Sequence, residues 1–160
     1  MFDERSWAAL VEGSGCPLCL EKDRFVVTTL PSGRVELVND ANFPGYCILV
    51  YHRHVVELQD LRTDERGQLI EDIACIARAI AERCQPAKIN YEILGNTVPH
   101  LHCHIIPRYP NDGYWGGSIW LRPLDRRSEF PTNEYEALGL SLRALFTPEQ
   151  GVKARSQTTV

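Results

Sequence analysis

The chain has 160 residues, of which 44% are hydrophobic and 24% are charged, and its formal net charge is −4. This length fits a single domain whose hydrophobic core needs no disulfides. The net negative charge argues against duplex nucleic acid or an anionic membrane as a partner, although local donors would suffice for a small phosphate ligand. We find no signal peptide and no apolar stretch long enough for a transmembrane helix, so we expect a cytoplasmic protein whose six cysteines are reduced.

The first third of the chain predicts a helix, a β-hairpin and a buried strand. Apolar residues at helical spacing favour a helix over residues 3–12. β-Branched and apolar residues then predict strands over 24–30 and 34–39, joined by a turn at Pro31–Gly33. The run 46–51 is apolar throughout, which is typical of a central strand buried on both faces.

The rest of the chain predicts one long helix followed by two more strands. Thr63 is a candidate cap for a helix over residues 64–84, in which apolar residues recur every 3.6 positions. The later elements are expected as follows: strands at 88–94 and 101–108, an irregular segment at 110–130, and a last helix at about 131–146. We therefore expect one α+β domain over residues 1–160, with a mainly antiparallel sheet.

Three of the chain's five histidines form a row at residues 100–104, where the strand predicted at 101–108 begins. Successive side chains of a β-strand point to opposite faces, so His100, His102 and His104 should project from one side. The alternate positions are apolar and suit a core: Leu101, Cys103 and Ile105. A strand that gives one whole face to imidazole indicates a functional site.

Three interpretations of this row compete: incidental histidines, a metal site of three imidazoles, and nucleotidyl transfer with one imidazole as nucleophile. The strict alternation disfavours the first. Imidazole has a free pKa of about 6.5, so near pH 7 it is nucleophilic without a separate base. Its attack on an α-phosphate would give a phosphoramidate that water cleaves, while a neighbouring histidine assists. The preceding loop, Gly95–Val98, offers donors for the anionic transition state.

The segment His100–Ile106 resembles the signature of the histidine triad (HIT) family, in which three histidines alternate with apolar residues. Val50–Val55, Pro44–Gly45 and Gly95–Val98 are similar to that family's strand end, preceding loop and phosphate loop. The resemblance covers about residues 16–109. It implies the α+β HIT fold, an antiparallel sheet of about five strands with one long helix packed on it, and a homodimer.

The resemblance also implies the activity and the site residues. The middle histidine of the family is the nucleophile, which corresponds to His102, and His104 would bind phosphate and assist the leaving group. The implied substrate-binding residues are Asn39, Asn90, Asn96 and Thr97. The expected substrate is a purine nucleotide derivative, either a dinucleoside polyphosphate such as diadenosine tetraphosphate or a nucleoside phosphoramidate. A non-catalytic nucleotide-binding or zinc-stabilised interaction protein is the alternative from another class.

The cysteine pair Cys16 and Cys19 has the spacing of a zinc knuckle. A redox pair or two incidental thiols are the alternatives, but a thioredoxin-like pair belongs between a strand and a helix, and this pair precedes a predicted hairpin. Zinc requires two more ligands. Zinc-bearing members of the histidine triad superfamily use the strand-end histidine and the first triad histidine, which implies a structural zinc held by four residues: Cys16, Cys19, His54 and His100.

Two features depart from the family pattern. Many members have a histidine directly after Pro-Gly, where this chain has Tyr46. The segment Tyr114–Trp120 is also unlike the family's short carboxyl-terminal endings. Trp115 and Trp120 could lie over a base or leaving group, or could pack a loop or a dimer contact, and the sequence leaves both alternatives open.

Overall fold

A computed structural model of the chain describes residues 3–20 and 25–146. Its helices are α1 (Glu4–Glu12), α2 (Pro17–Leu20), α3 (Thr63–Cys84) and α4 (Thr132–Arg143), and its strands are β1 (Val26–Leu30), β2 (Gly33–Leu37), β3 (Cys47–Tyr51), β4 (Lys88–Glu92) and β5 (His102–Arg108). The segment that was expected to be irregular contains two single-turn 3₁₀ helices, Ile119–Leu121 and Leu124–Arg126.

The predicted α+β architecture is confirmed. The five strands form one antiparallel sheet in the order β1-β2-β3-β5-β4, and α3 packs on one of its faces. The strand and helix positions follow the sequence patterns, with ends that differ by at most three residues. Residue 24, where the first strand was expected to begin, lies outside the described residues. No helix of the described segments is long and apolar enough to cross a membrane.

One predicted helix cap was wrong. Thr63 is the first residue of α3, and Arg62 is the capping residue with extended backbone angles. The Arg62 amide donates to the Glu65 carboxylate at 2.8 Å, so an acidic side chain in the first turn satisfies the helix end. The Thr63 hydroxyl is therefore not needed as a cap.

The two faces of the sheet bury different sets of side chains. The face under α3 holds the alternate residues of the histidine row, and Leu101, Cys103 and Ile105 are each at most 2% exposed. The opposite face carries a smaller apolar cluster that includes the following residues: Cys16, Phe43, Tyr46, Ile48, Val50, Ile106 and Ile119. This second face also carries the histidines, because side chains alternate along β5.

Candidate active site and metal centre

The histidine row lies in the interior of the sheet. β5 is hydrogen-bonded to β3 on one side and to β4 on the other, and His102 stands opposite Val50 while His104 stands opposite Ile48. His102 is 9% exposed and His104 is 7% exposed. Their ring centroids are 4.8 Å apart, with the planes inclined by 76°. Two imidazoles are thus held side by side by a strand that has neighbours on both edges.

A backbone carbonyl fixes the orientation of the His102 ring. Nδ1 of His102 lies 2.5 Å from the carbonyl oxygen of His100. A carbonyl oxygen can only accept, so Nδ1 carries the proton and Nε2 is left with a lone pair in the neutral ring. This tautomer is the one that a nucleophilic Nε2 requires.

His104 contacts two aromatic residues that sequence reasoning did not assign to the site. The Tyr46 hydroxyl lies 2.6 Å from Nδ1 of His104. The Trp120 ring packs edge to face against the imidazole, with 5.0 Å between the centroids. The Trp120 indole N–H in turn donates to Glu92 on β4. These contacts restrict the rotation of His104.

A cavity of about 900 Å³ opens over the histidines. Ligand-binding pockets of folded proteins have volumes of this order. Five of the predicted site residues line it: Asn39, Asn96, Thr97, His102 and His104. Residues beyond β5 complete the wall, among them Trp120, Arg122, Arg127 and Tyr135.

Two residues that the sequence singled out, Asn90 and Trp115, lie away from this cavity. Asn90 lies on β4 and lines a second, smaller depression of about 370 Å³, together with Lys88, Arg108 and Trp115. The two tryptophans, for which the sequence left the role open, therefore lie at different places. Trp120 contacts the triad, and Trp115 does not line the histidine cavity.

Asn39 lines the cavity but is already engaged by the backbone. Its side-chain oxygen accepts from the Phe130 amide at 2.9 Å, and its side-chain nitrogen lies 3.4 Å from the Phe130 carbonyl oxygen. Asn39 thus fixes the segment before α4 against the loop before β3. A ligand that bonds the Asn39 amide would compete with these two contacts.

The four predicted metal ligands come together in space. One ligand atom from each of Cys16, Cys19, His54 and His100 lies within 4.8 Å of all the others. The Cys19 sulfur is 3.3 Å from Nδ1 of His100 and 3.5 Å from Nδ1 of His54. The spacing of two sulfur and two nitrogen atoms is compatible with a tetrahedral zinc ion.

The outer contacts of the two histidines support the same assignment. Nε2 of His100 is 2.9 Å from the Tyr51 carbonyl oxygen, and Nε2 of His54 is 3.0 Å from the Val11 carbonyl oxygen. Both rings therefore donate through Nε2 and direct the lone pair of Nδ1 at the cysteine sulfurs, as metal-bound histidines do. Burial lowers the pKa of His100, which keeps this ring neutral.

Two ionised cysteine sulfurs side by side would be unfavourable without a cation to compensate for their charge. Burial and the neighbouring Cys16 raise the pKa of Cys19, so the Cys19 thiol resists ionisation. A divalent cation compensates for both negative charges and deprotonates coordinating thiols. The donor set therefore fits zinc better than it fits two free thiols.

A family model for the HIT domain matches residues 20–111, which is more than half of the chain. The chain belongs to the HIT family. The matched segment contains the complete histidine row, the strand that ends before His52, and the loop Gly95–Val98.

Relatives and solved structures agree with this assignment. The chain is 38% identical over 72 residues to the bis(5′-adenosyl)-triphosphatase of Saccharomyces cerevisiae, an alignment that covers 41% of this chain and 35% of the relative. It is 32% identical over 74 residues to the asymmetrical bis(5′-nucleosyl)-tetraphosphatase of Schizosaccharomyces pombe, covering 43% and 41%. The chain thus spans well under half the length of these two relatives. The crystal structure of a HIT protein from Sinorhizobium meliloti superposes with a TM-score of 0.71 and 26% identity, covering 91% of this chain and 96% of that one.

The segment after the HIT domain match is fixed to the cavity rim by several polar contacts, one of which is a buried ion pair. Arg122 forms an ion pair with Asp40, and the two side chains are 3% and 7% exposed. Arg122 also donates to the Asn42 side chain at 3.1 Å. The Ser128 amide donates to Asn42 at 3.1 Å, and the Ser128 carbonyl accepts from Ala41 at 2.7 Å. The carboxyl-terminal part therefore builds one wall of the cavity of the HIT domain.

Proposed function

We propose that this HIT protein is a nucleotide hydrolase that works through a nucleotidyl-His102 intermediate. The observation that carries the proposal is the hydrogen bond from Nδ1 of His102 to the His100 carbonyl, inside a cavity large enough for a nucleotide. This bond leaves the Nε2 lone pair for attack and stabilises the positive charge that forms on the ring.

The proposed reaction has two steps. Nε2 of His102 attacks the α-phosphorus, a P–N bond forms, and the bond from phosphorus to the leaving group breaks with its electron pair on the leaving group. His104, beside the nucleophile, binds phosphate oxygens and assists departure. Water then attacks the same phosphorus, the P–N bond breaks, and its electron pair returns to Nε2 as a nucleoside monophosphate leaves.

The loop before β5 and the rim of the cavity supply the other proposed contacts. Asn96 and Thr97 line the cavity and offer an amide and a hydroxyl to phosphate oxygens. Asn39 also lines the cavity and would contact the ribose after giving up one of its bonds to Phe130. Asn90, which the family resemblance suggested as a further contact, has no role in this proposal because it lines the separate depression.

The proposed substrates are purine dinucleoside polyphosphates such as diadenosine tetraphosphate. The names of the two yeast relatives support this class. Nucleoside phosphoramidates are the second class, because the same attack at phosphorus would cleave a P–N bond to an amine. The alternative from another class, a non-catalytic nucleotide-binding protein, would retain AMP binding without turnover.

Structural zinc is part of the proposal. The residues that would hold it are Cys16, Cys19, His54 and His100. Bound zinc would supply a rigid tetrahedral crosslink rather than a reaction step. By fixing His100 it would also fix the carbonyl that orients His102. Reduced thiols of this kind fit the reducing cytoplasm.

We also propose a homodimer formed along β4. This strand is an edge of the sheet, and Tyr91, Ile93 and Leu94 at or just beyond it are between 41% and 51% exposed. An exposed edge strand with apolar side chains is a template for strand pairing. Light scattering after size exclusion would give twice the mass of one chain, and Tyr91→Lys would shift it towards the monomer.

Steady-state turnover tests the proposed activity. We expect AMP release from diadenosine tetraphosphate by the wild type and loss of it in both His102→Ala and His102→Gly. His52→Ala is the matched control, because His52 is an exposed histidine at a strand end whose ring contacts the Ser32 carbonyl and not the cavity. Equal turnover by His102→Ala and His52→Ala would refute the proposed nucleophile. Tight AMP binding without turnover of either substrate class would favour the non-catalytic alternative.

A further inference from the structure

Tyr46 is a buried residue of the cavity wall to which the proposed reaction assigns no role. It lies directly before β3, where Gly45 has a φ of +90°, in the left-handed region that favours glycine. This turn is closed by the Tyr46 amide, which donates to the Phe43 carbonyl at 3.0 Å. Tyr46 is 5% exposed, so the position of the phenol is set by the fold.

The Tyr46 hydroxyl has one hydrogen-bond partner among residues 3–20 and 25–146, which is Nδ1 of His104 at 2.6 Å. Burial raises the pKa of Tyr46 far above its ordinary value, so the phenol keeps its proton over the range in which enzymes act. A protonated phenol with a single acceptor in reach donates to it. Nδ1 of His104 then accepts, and the proton of the neutral imidazole is on Nε2.

We propose that Tyr46 is a positioning residue that holds neutral His104 in the Nε2–H tautomer. The neighbouring histidines then present opposite groups, a lone pair on Nε2 of His102 and an N–H on His104. One ring attacks phosphorus while the other donates a hydrogen bond to the phosphate or the leaving group. The inference rests on the proposed function, because an N–H donor has a purpose here only if phosphate binds beside His102.

A second contact keeps His104 from turning over and exchanging its nitrogens. Trp120 packs edge to face on the ring, with the planes inclined by 73°, and its indole N–H is held by Glu92. A flip of the imidazole would bring a carbon atom to the Tyr46 hydroxyl and leave that buried hydroxyl without an acceptor. The ring orientation is therefore fixed from two sides.

Nitrogen-15 NMR of the histidine rings tests this claim without any substrate. In wild-type protein above pH 7.5 we expect the His104 resonances, assigned with His104→Gln, to show a protonated Nε2 and an unprotonated Nδ1. Tyr46→Phe removes only the hydroxyl, and we expect the His104 signals to shift towards a mixture of tautomers. Tyr109→Phe is the matched control, since it also removes a tyrosine hydroxyl that donates hydrogen bonds inside the fold, in this case from a half-buried side chain to the Pro44 and Cys84 carbonyls. A protonated Nδ1 in the wild type would overturn the inference.

Kinetics give a second test that a purely structural role would not pass. Tyr46→Phe should lower kcat about tenfold with KM within about twofold, because one oriented donor is worth on the order of a decade in rate. The loss of kcat in Tyr46→Phe should be larger for substrates with poor leaving groups. Any change of kcat in Tyr109→Phe should instead be the same for all substrates. Equal behaviour of the two variants would overturn the positioning role. If the wild type turns over no nucleotide, the proposed function fails while the ring NMR still decides the tautomer.

Discussion

The ion pair between Arg122 and Asp40 allows a quantitative test of how the carboxyl-terminal segment is attached. We expect Arg122→Met to destabilise the protein because it leaves the Asp40 carboxylate buried without its cation. Breaking a buried pair in this way costs about 3–5 kcal/mol. Nε of Arg122 is buried without a hydrogen-bond partner in the described structure, which costs stability. Removing this atom should therefore offset the loss by about 1–3 kcal/mol. The net expected loss is about 2 kcal/mol in the free energy of unfolding.

Urea unfolding followed by circular dichroism measures this loss. Arg62→Met is the matched control, because Arg62 and Asp64 form an ion pair in which both side chains are 71% exposed. We expect that control to change the midpoint far less. The double variant Asp40→Asn with Arg122→Met should recover part of the stability, since it removes the uncompensated charge. Equal losses in Arg122→Met and Arg62→Met would refute the claim that this pair fastens the cavity wall.

Three further predictions concern the metal, a second ion pair and the aromatic wall. Purified protein should contain about one zinc per chain by mass spectrometry, and Cys16→Ser should lower both the zinc content and the melting temperature. Burial raises the pKa of Asp112, but hydrogen bonds from Arg108 and two backbone amides outweigh it and lower the pKa below 3.8. The stability that Asp112 contributes is therefore complete above about pH 4 and lost as the pH falls through the lower folded value. Asp112→Asn should cost about 3 kcal/mol at pH 7, and urea titrations should show that difference shrinking below pH 4. Trp120→Ala should raise KM and lower kcat through loss of the contact with His104, whereas Trp115→Ala, in the second depression, should change neither.

The sequence predicted well those strands and helices in which apolar residues recur at a regular spacing, because the residues of one face are buried together. The alternation from His100 to Ile105 places the histidines on one face and apolar residues under α3, as expected. The long apolar stripe predicted a helix over residues 64–84, and α3 spans Thr63–Cys84. The cluster of Cys16, Cys19, His54 and His100 was predicted by resemblance rather than by spacing, since Cys19 and His100 are 81 residues apart.

The features that the sequence did not predict are contacts between residues far apart in the chain. No repeating pattern in the sequence relates such residues to each other. Tyr46 is 58 residues from His104, and only the antiparallel pairing of β3 with β5 brings the two together. Asp40 and Arg122 are 82 residues apart in loops, so no pattern relates them. Asn90 is on β4 as expected, but the register of β4 against β5 places it opposite Ile106, beyond His104, and it lines the smaller depression.

The central claim is that His102 forms a covalent bond to the nucleotide. A single-turnover reaction with diadenosine polyphosphate labelled at the α-phosphorus, quenched rapidly in alkali and followed by denaturing electrophoresis, tests it most directly. We predict label on the wild-type chain that is stable in alkali and lost in acid, as expected for a phosphorus–nitrogen bond, with none on His102→Ala or His102→Gly. Label that persists on either variant, or AMP release from the variants at the wild-type rate, would contradict the account.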